Sequence, residues 1–251
     1  IIGITYTGKV FHINLELSNN NDYKLDNKIL GNINPSEIIN FHSITKSIKN
    51  YLCILNSDGK FKKVLFDEDM IKSNRSFTIT KLKNNIRTID SFISNEEKNL
   101  IILTSIGRIF KFNLSNNFLT PTTKQSQGLL LAKLLPTEKI VSCCAYKNRE
   151  DVYLVSKKGR IFCLDSEEIY YASEYCLGYL SEKTQLKNDY FLKVLPSNHF
   201  LDIETSKNKS ARLNFDKLNF KSNKTNFLID FLKLEKDEHL ENCFQLKNFL
   251  N

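Results

Sequence analysis

Five positions in this sequence repeat one chemical choice. Lys9, Lys60, Arg108, Arg160 and Lys209 each directly follow a residue suited to a tight turn, namely Gly8, Gly59, Gly107, Gly159 and Asn208. Three residues further along stand His12, Lys63, Lys111, Cys163 and Arg212. One cation per repeat at a fixed offset suits a linear polyanion, whose phosphates are neutralised along a path without any reading of bases. Lys60, Lys62 and Lys63 form one basic cluster and Arg108 with Lys111 another, and Lys124, Lys133, Lys207, Lys217, Lys221 and Lys224 extend the set. His12 is neutral at pH 7 by default and contributes less. The plainer reading of all these residues is solvated surface beside turns.

Other chemistry finds little support. The acidic pairs in FDEDM, Phe66 to Met70, and DSEEI, Asp165 to Ile169, recur at matching offsets with no accompanying histidine, which favours a turn or edge role over acid/base work. GxSxG, P-loop and HExxH patterns are absent. The six cysteines include no CxxC pair and the four histidines are dispersed, so free thiols in a reducing compartment are expected in place of a metal centre or disulfide framework.

The cations need elements to hold them in register. GITYTGKVFHINL, YLCILNSDGKFKKVLF, LTSIGRIFKFNL, LVSKKGRIFCLD and FLDIETSKNKSARLNF share one grammar: an apolar run, a polar turn closed by Gly or Asn, a base, and a second run. This is a hairpin signature, because Gly or Asn supplies the positive φ of a tight turn. The turn residues 8, 59, 107, 159 and 208 are separated by 51, 48, 52 and 49. Between hairpins, Gly31, Gly128 and Gly178 open a further run, whereas RSFTITKLK, Arg75 to Lys83, and KTNFLIDFL, Lys224 to Leu232, lack that glycine.

Units of about fifty residues with about four short strands, rich in β-branched and aromatic residues and without helical periodicity, predict a propeller-like all-β array. The expectation is one domain over residues 1–251 with five to six four-stranded blades. The segment from about Leu232 either completes the first blade or ends in a short helix.

Composition sets the outer bounds. With 251 residues, 41% hydrophobic and 25% charged, the chain is of ordinary globular make-up. No apolar run is long enough to span a bilayer, and IIGITYTGKVFHI reads as a strand and not as a signal peptide, so a piece of a longer polypeptide with no membrane partner is expected. The net charge of +8 is compatible with a polyanionic partner. The excess of Asn, Lys, Ile, Phe and Tyr, which AT-rich coding also produces, discounts that charge as evidence.

The stretch from LTSIGRIFKFNL through TKQSQGLLLAKLLPTEKIVSC to DVYLVSKKGRIFCLDSEEI resembles the repeat of the C-terminal domain in the A subunits of DNA gyrase and topoisomerase IV. The resemblance implies a β-pinwheel whose basic rim bends or wraps duplex DNA to steer strand passage by a type II topoisomerase. It makes double-stranded DNA, the ATPase B subunit, and the remainder of the A subunit the partners. Catalysis, ATP and Mg2+ belong to other parts of that complex, so no cofactor is expected here. The compartment is the bacterial cytoplasm with its nucleoid, or a plastid or apicoplast.

One departure limits the resemblance. The gyrase box QRRGGKG is absent, and its nearest match is Thr123 to Gly128, TKQSQG. A box upstream of Ile1, a degenerate box and a topoisomerase IV type parent all remain open. The alternative class is a propeller used as a protein-interaction scaffold, although the lack of tryptophan and of GH and WD dipeptides speaks against WD repeats.

Overall fold

The computed structural model describes residues 1–13, 30, 32–44, 50–66, 76–94, 99–181, 184–197, 199–214, 228–230 and 234–247. Its strands in chain order are β1 (Ile2–Thr5), β2 (Lys9–His12), β3 (Ile38–His42), β4 (Asn50–Asn56), β5 (Lys60–Phe66), β6 (Phe77–Thr78) and β7 (Thr88–Ser94). Then follow β8 (Asn99–Thr104), β9 (Arg108–Asn113), β10 (Leu129–Leu130), β11 (Ile140–Tyr146), β12 (Val152–Ser156) and β13 (Arg160–Leu164). The last are β14 (Tyr179–Leu180), β15 (Phe191–Pro196), β16 (His199–Thr205), β17 (Ser210–Asn214), β18 (Leu228–Asp230) and β19 (Leu240–Lys247).

All five expected hairpins form. Gly8, Gly59, Gly107, Gly159 and Asn208 have φ of 77, 80, 89, 77 and 58°. Each donates its amide to the carbonyl three residues back, on Thr5, Asn56, Thr104, Ser156 and Thr205, at 2.9 to 3.0 Å. In four of the turns the hydroxyl of that same Thr or Ser accepts the amide of the cation after the turn, as Thr104 Oγ1 does from Arg108 at 3.1 Å. The recurring pattern is therefore Thr, Ser or Asn, two residues, a left-handed residue and a base, and each member has a backbone reason for its place.

Each hairpin belongs to a separate antiparallel sheet, ordered β3-β1-β2-β6, β10-β5-β4-β7, β11-β8-β9-β14, β15-β12-β13-β18 and β17-β16-β19. The chain is thus all-β with five blade-like sheets, one per repeat. The fifth has three strands among the described residues, against the four expected. Among the described residues the C-terminal segment neither completes the first blade nor forms a helix: Leu240–Lys247 is a strand of the fifth sheet, paired with His199–Thr205.

The strand shared between repeats was not legible in the period. β6, β10, β14 and β18 each lie in the repeat after the hairpin whose sheet they complete. A repeat contributes about four strands, as expected, yet one of them is lent to the preceding sheet.

Register shifts at the same place in all five sheets, beside Thr5, Asn56, Thr104, Ser156 and Thr205. Such irregularities re-aim a side chain. Here they accompany the burial of that polar residue, at 0, 2, 0, 0 and 4% exposure.

The contacts divide the chain into two compact units, residues 1–95 with 119–129 and residues 96–118 with 130–251. In the first, Ile2, Ile4 and Val10 of the first sheet pack with Leu52, Ile54 and Val64 of the second. In the second unit β12 supplies two cores by strand alternation: Val152 and Leu154 join Ile101 and Leu103, while Tyr153 and Val155 join Leu201 and Ile203.

Gly107 gives a direct test of the turn chemistry. A Cβ there would meet Phe191 Cε2 at 2.6 Å and Thr184 O at 2.9 Å, at a φ that L-residues seldom adopt. Gly107→Ala is expected to cost about 1–3 kcal/mol in urea unfolding. Asn208→Gly, at a φ that glycine adopts freely, is expected to be nearly neutral.

Candidate nucleic-acid interface

Most of the repeated cations are first of all knitted into their own sheets. Arg108 Nε lies 3.1 Å from Glu138 Oε1, and only 13% of its side chain is exposed. Glu138 also accepts from Thr104 Oγ1 at 2.7 Å and from the Leu135 amide at 3.1 Å. The fifth sheet repeats the device. Glu238 accepts from Thr205 Oγ1 at 2.7 Å, from the Glu235 amide at 2.9 Å and from Lys209 Nζ at 3.1 Å.

The Glu235 amide and the Thr205 hydroxyl hold the Glu238 carboxyl down at about 2. Lys209 also reaches Glu235 at 2.7 Å, which with Glu238 raises its pKa. Arg212 makes a two-pronged pair with Asp202, 2.7 Å on each arm, and is raised by it. Lys60 pairs with Asp58 at 3.0 Å and reaches Gln127 Oε1 at 3.3 Å.

Exposed pairs of this kind are weak and exchange readily for a phosphate. Lys209 and Arg212 are exposed, whereas Arg108 is tied to its carboxylate. Lys9 is exposed and Arg160 half-buried, the latter lining a cavity of about 580 Å³ with Lys157, Lys158, Tyr190 and Glu235.

Two of the expected contact residues are interior. Lys62 is 1% exposed, and its Nζ donates to the carbonyls of Ile79 (2.6 Å), Lys124 (2.6 Å) and Ser126 (2.8 Å). Burial pushes its ammonium down to about 8. Lys111 is 6% exposed, donates to Ser166 O at 2.7 Å and lies 4.4 Å from the centre of the Tyr171 ring. Both are therefore removed from the surface set.

Lys62 is the more instructive correction. Three residues after the turn glycine, the first, third and fourth repeats carry Phe11, Phe110 and Phe162, all buried. In the third sheet Phe110 fills the space against Gly178, where a Cβ would meet its ring at 2.8 Å. Lys62 stands at the equivalent place beneath Gly128, whose Cβ would meet Phe61 O at 2.5 Å and Lys62 Cβ at 3.2 Å.

Lys62 thereby pins the segment that resembles the gyrase box. Thr122 donates its amide to Lys63 O at 2.7 Å, and Ser126 Oγ bonds Thr122 Oγ1 at 2.9 Å. The pinned loop leaves Lys124 exposed, with its ammonium 5.0 Å from the Phe77 ring centre. Lys63 is half-buried over Tyr51 at 4.6 Å.

The first unit also exposes Lys81, Lys83 and Arg87, which the hairpin reading missed, and Arg87 lies over Tyr6 at 4.9 Å. Their signal was TKLKNNIR, Thr80 to Arg87, directly after the lent strand β6. In the second unit Lys133, Lys139, Lys147, Lys158 and Lys207 are exposed.

The remaining candidates divide simply. Lys217, Lys221, Lys224 and the acidic residues of FDEDM lie outside the described residues. In DSEEI, Asp165 Oδ1 accepts the Glu167 amide at 2.9 Å and starts a 3-10 turn over Ser166–Glu168.

No protein-family model matches the sequence, and comparison with curated proteins likewise finds no match. Comparison with solved structures does. The C-terminal domain of a DNA topoisomerase IV superposes with a TM-score of 0.70 at 16% identity, over 88% of this chain and 71% of that one. The C-terminal domain of a DNA gyrase A superposes with a TM-score of 0.72 at 17% identity, over 97% of this chain and 81% of that one. The chain has their fold.

Lys62→Met keeps an unbranched four-atom stem and leaves three carbonyls without their donor. It is expected to cost about 1–3 kcal/mol and to speed amide exchange across Thr122 to Gly128. Because burial holds the folded-state pKa near 8, below the ordinary value of 10.5, the cost of the buried charge is fully felt below pH 8. Wild-type stability relative to Lys62→Met should therefore rise between pH 8 and 10.5. Urea unfolding across that window measures it.

Proposed function

We propose that this chain, which shares its fold with the C-terminal domains of gyrase A and topoisomerase IV, binds duplex DNA. In this reading it bends or wraps the duplex to steer strand passage by a type II topoisomerase. The observation that carries the proposal is the shared fold, together with repeated turns that each set a cation in the same local geometry. The partners are double-stranded DNA, the ATPase subunit of such an enzyme and the rest of its A subunit. The bending module itself performs no bond chemistry.

The physical work is neutralisation. Bending a short duplex costs on the order of several kcal/mol, which many distributed phosphate contacts offset as they release counterions. Exposed Lys9, Lys81, Lys83 and Lys124 in the first unit, and Lys139, Lys158, Lys209 and Arg212 in the second, are the groups available to do it. Lys60, Lys63 and Arg160 are half-buried and take a smaller share, while Arg108 chiefly holds its own turn.

The test is a duplex-length and salt series by gel shift. Affinity should rise with duplex length and fall steeply with salt. Lys124→Ala and Lys81→Ala should each weaken binding uniformly across sequences and lower the salt slope by about one. Length-independent binding with a shallow salt slope would contradict the proposal.

A further inference from the structure

Two loops of this chain match residue for residue in place and are inverted in chemistry. Thr122 donates its amide to Lys63 O at 2.7 Å, and Ala172 donates its amide to Lys111 O at 2.7 Å. Both loops close on a left-handed glycine, Gly128 with φ of 85° and Gly178 with φ of 67°. At matched positions the first loop carries Thr120, Lys124, Gln125 and Gln127, and the second carries Tyr170, Glu174, Tyr175 and Leu177.

The second loop leaves its aromatic residues in solvent. Tyr170 is 77% exposed, Tyr171 56%, Tyr175 54% and Tyr179 39%, and Tyr170 and Tyr179 pack edge to face at 6.2 Å. A cluster of large exposed rings marks an interaction site more often than plain surface. The stretch itself carries negative charge, of which Glu167 is paired with Arg149 at 3.5 Å. From Ile161 to Ser181 there is no Lys or Arg, in a chain with 36 of them, while Asp165, Glu167, Glu168 and Glu174 all fall in that stretch.

A phosphate backbone is repelled by such a surface, and a cationic peptide is attracted to it. Two rings of the cluster already lie against a cation. Lys111 lies 4.4 Å from the Tyr171 centroid and Lys133 5.8 Å from that of Tyr175, both within the range of cation–π attraction.

We propose that this edge of the third sheet docks a lysine- and arginine-rich peptide segment of another protein. Its cations seat on the exposed faces of Tyr170 and Tyr179 and against Glu174. The matched loop of the first unit, with Lys124 at the Glu174 position, keeps the polarity suited to phosphate.

Fluorescence anisotropy on the full chain tests this with two labelled probes, a short peptide of alternating lysine, arginine and glycine and a duplex DNA. Tyr170→Ser with Tyr179→Ser is expected to weaken the peptide about tenfold and leave the duplex unchanged. Glu174→Gln, a minimal surface change, should also weaken the peptide, and Glu174→Lys should abolish it while strengthening the duplex. Peptide binding indifferent to all of these substitutions overturns the proposal. So does a loss of duplex affinity in the tyrosine pair, which would make the cluster a DNA contact.

Discussion

One backbone hydrogen bond links successive sheets within each unit: the first residue of a sheet's third strand donates its amide to a carbonyl in the hairpin turn of the preceding sheet. Thr88 does so to Tyr6 at 2.8 Å in the first unit. Phe191 to Ser105 at 2.9 Å and Leu240 to Lys157 at 2.8 Å are its counterparts in the second. The same turn residues donate back to the residue that leads into the third strand of their own sheet, as Ser105 does to Lys139 O at 2.8 Å. Each of these three turns is thus held between two sheets with both backbone groups of its residue satisfied. The Thr, Ser or Asn buried at its base and the left-handed residue at its tip follow from that need. The cation after the turn inherits its fixed position from it.

The lent strand adds a second tie. Because β10 and β14 complete a sheet begun in the previous repeat, the loops leading into them are laid over that sheet's second hairpin strand, through Thr122 to Lys63 O and Ala172 to Lys111 O. What those loops carry is therefore displayed at a reproducible place, and each repeat varies it. In the first unit the display is Lys124 above a pinned loop, and in the second it is a tyrosine cluster amid carboxylates. A repeat with a conserved turn and variable loops suits the reading proposed above, a long polyanion at some positions and another partner elsewhere.

Much of the fold was legible because turn chemistry is local. Glycine and asparagine at a steady period announced the five hairpins, and alternating runs announced the strands. The exchange of a strand between repeats was not legible, since pairing partners leave no mark in the period of a single chain. Among candidate site residues the errors trace to strand parity. In GKFKKVLF, Lys62 shares its face with Val64 and Phe66, both in the core, so alternation placed it inside. Proximity to Lys60 and Lys63 had suggested a surface cluster instead. Alignment of the repeats at the glycine sets Lys62 opposite Phe110 and Phe162, which is the clearer signal. The carboxylates that engage Arg108 and Lys209 lie some thirty residues away, at Glu138 and Glu238, and only the folded third strand brings them near.

The central claim is that DNA is bent around this chain and not merely bound to it. Relaxing a closed circular duplex in the presence of the chain, then removing protein and resolving the topoisomers, measures this most directly. The account predicts a shift in linking number of one sign that grows with the amount of chain bound and fades as salt is raised. A distribution identical to that of the protein-free circle, under conditions where binding is complete, would contradict it.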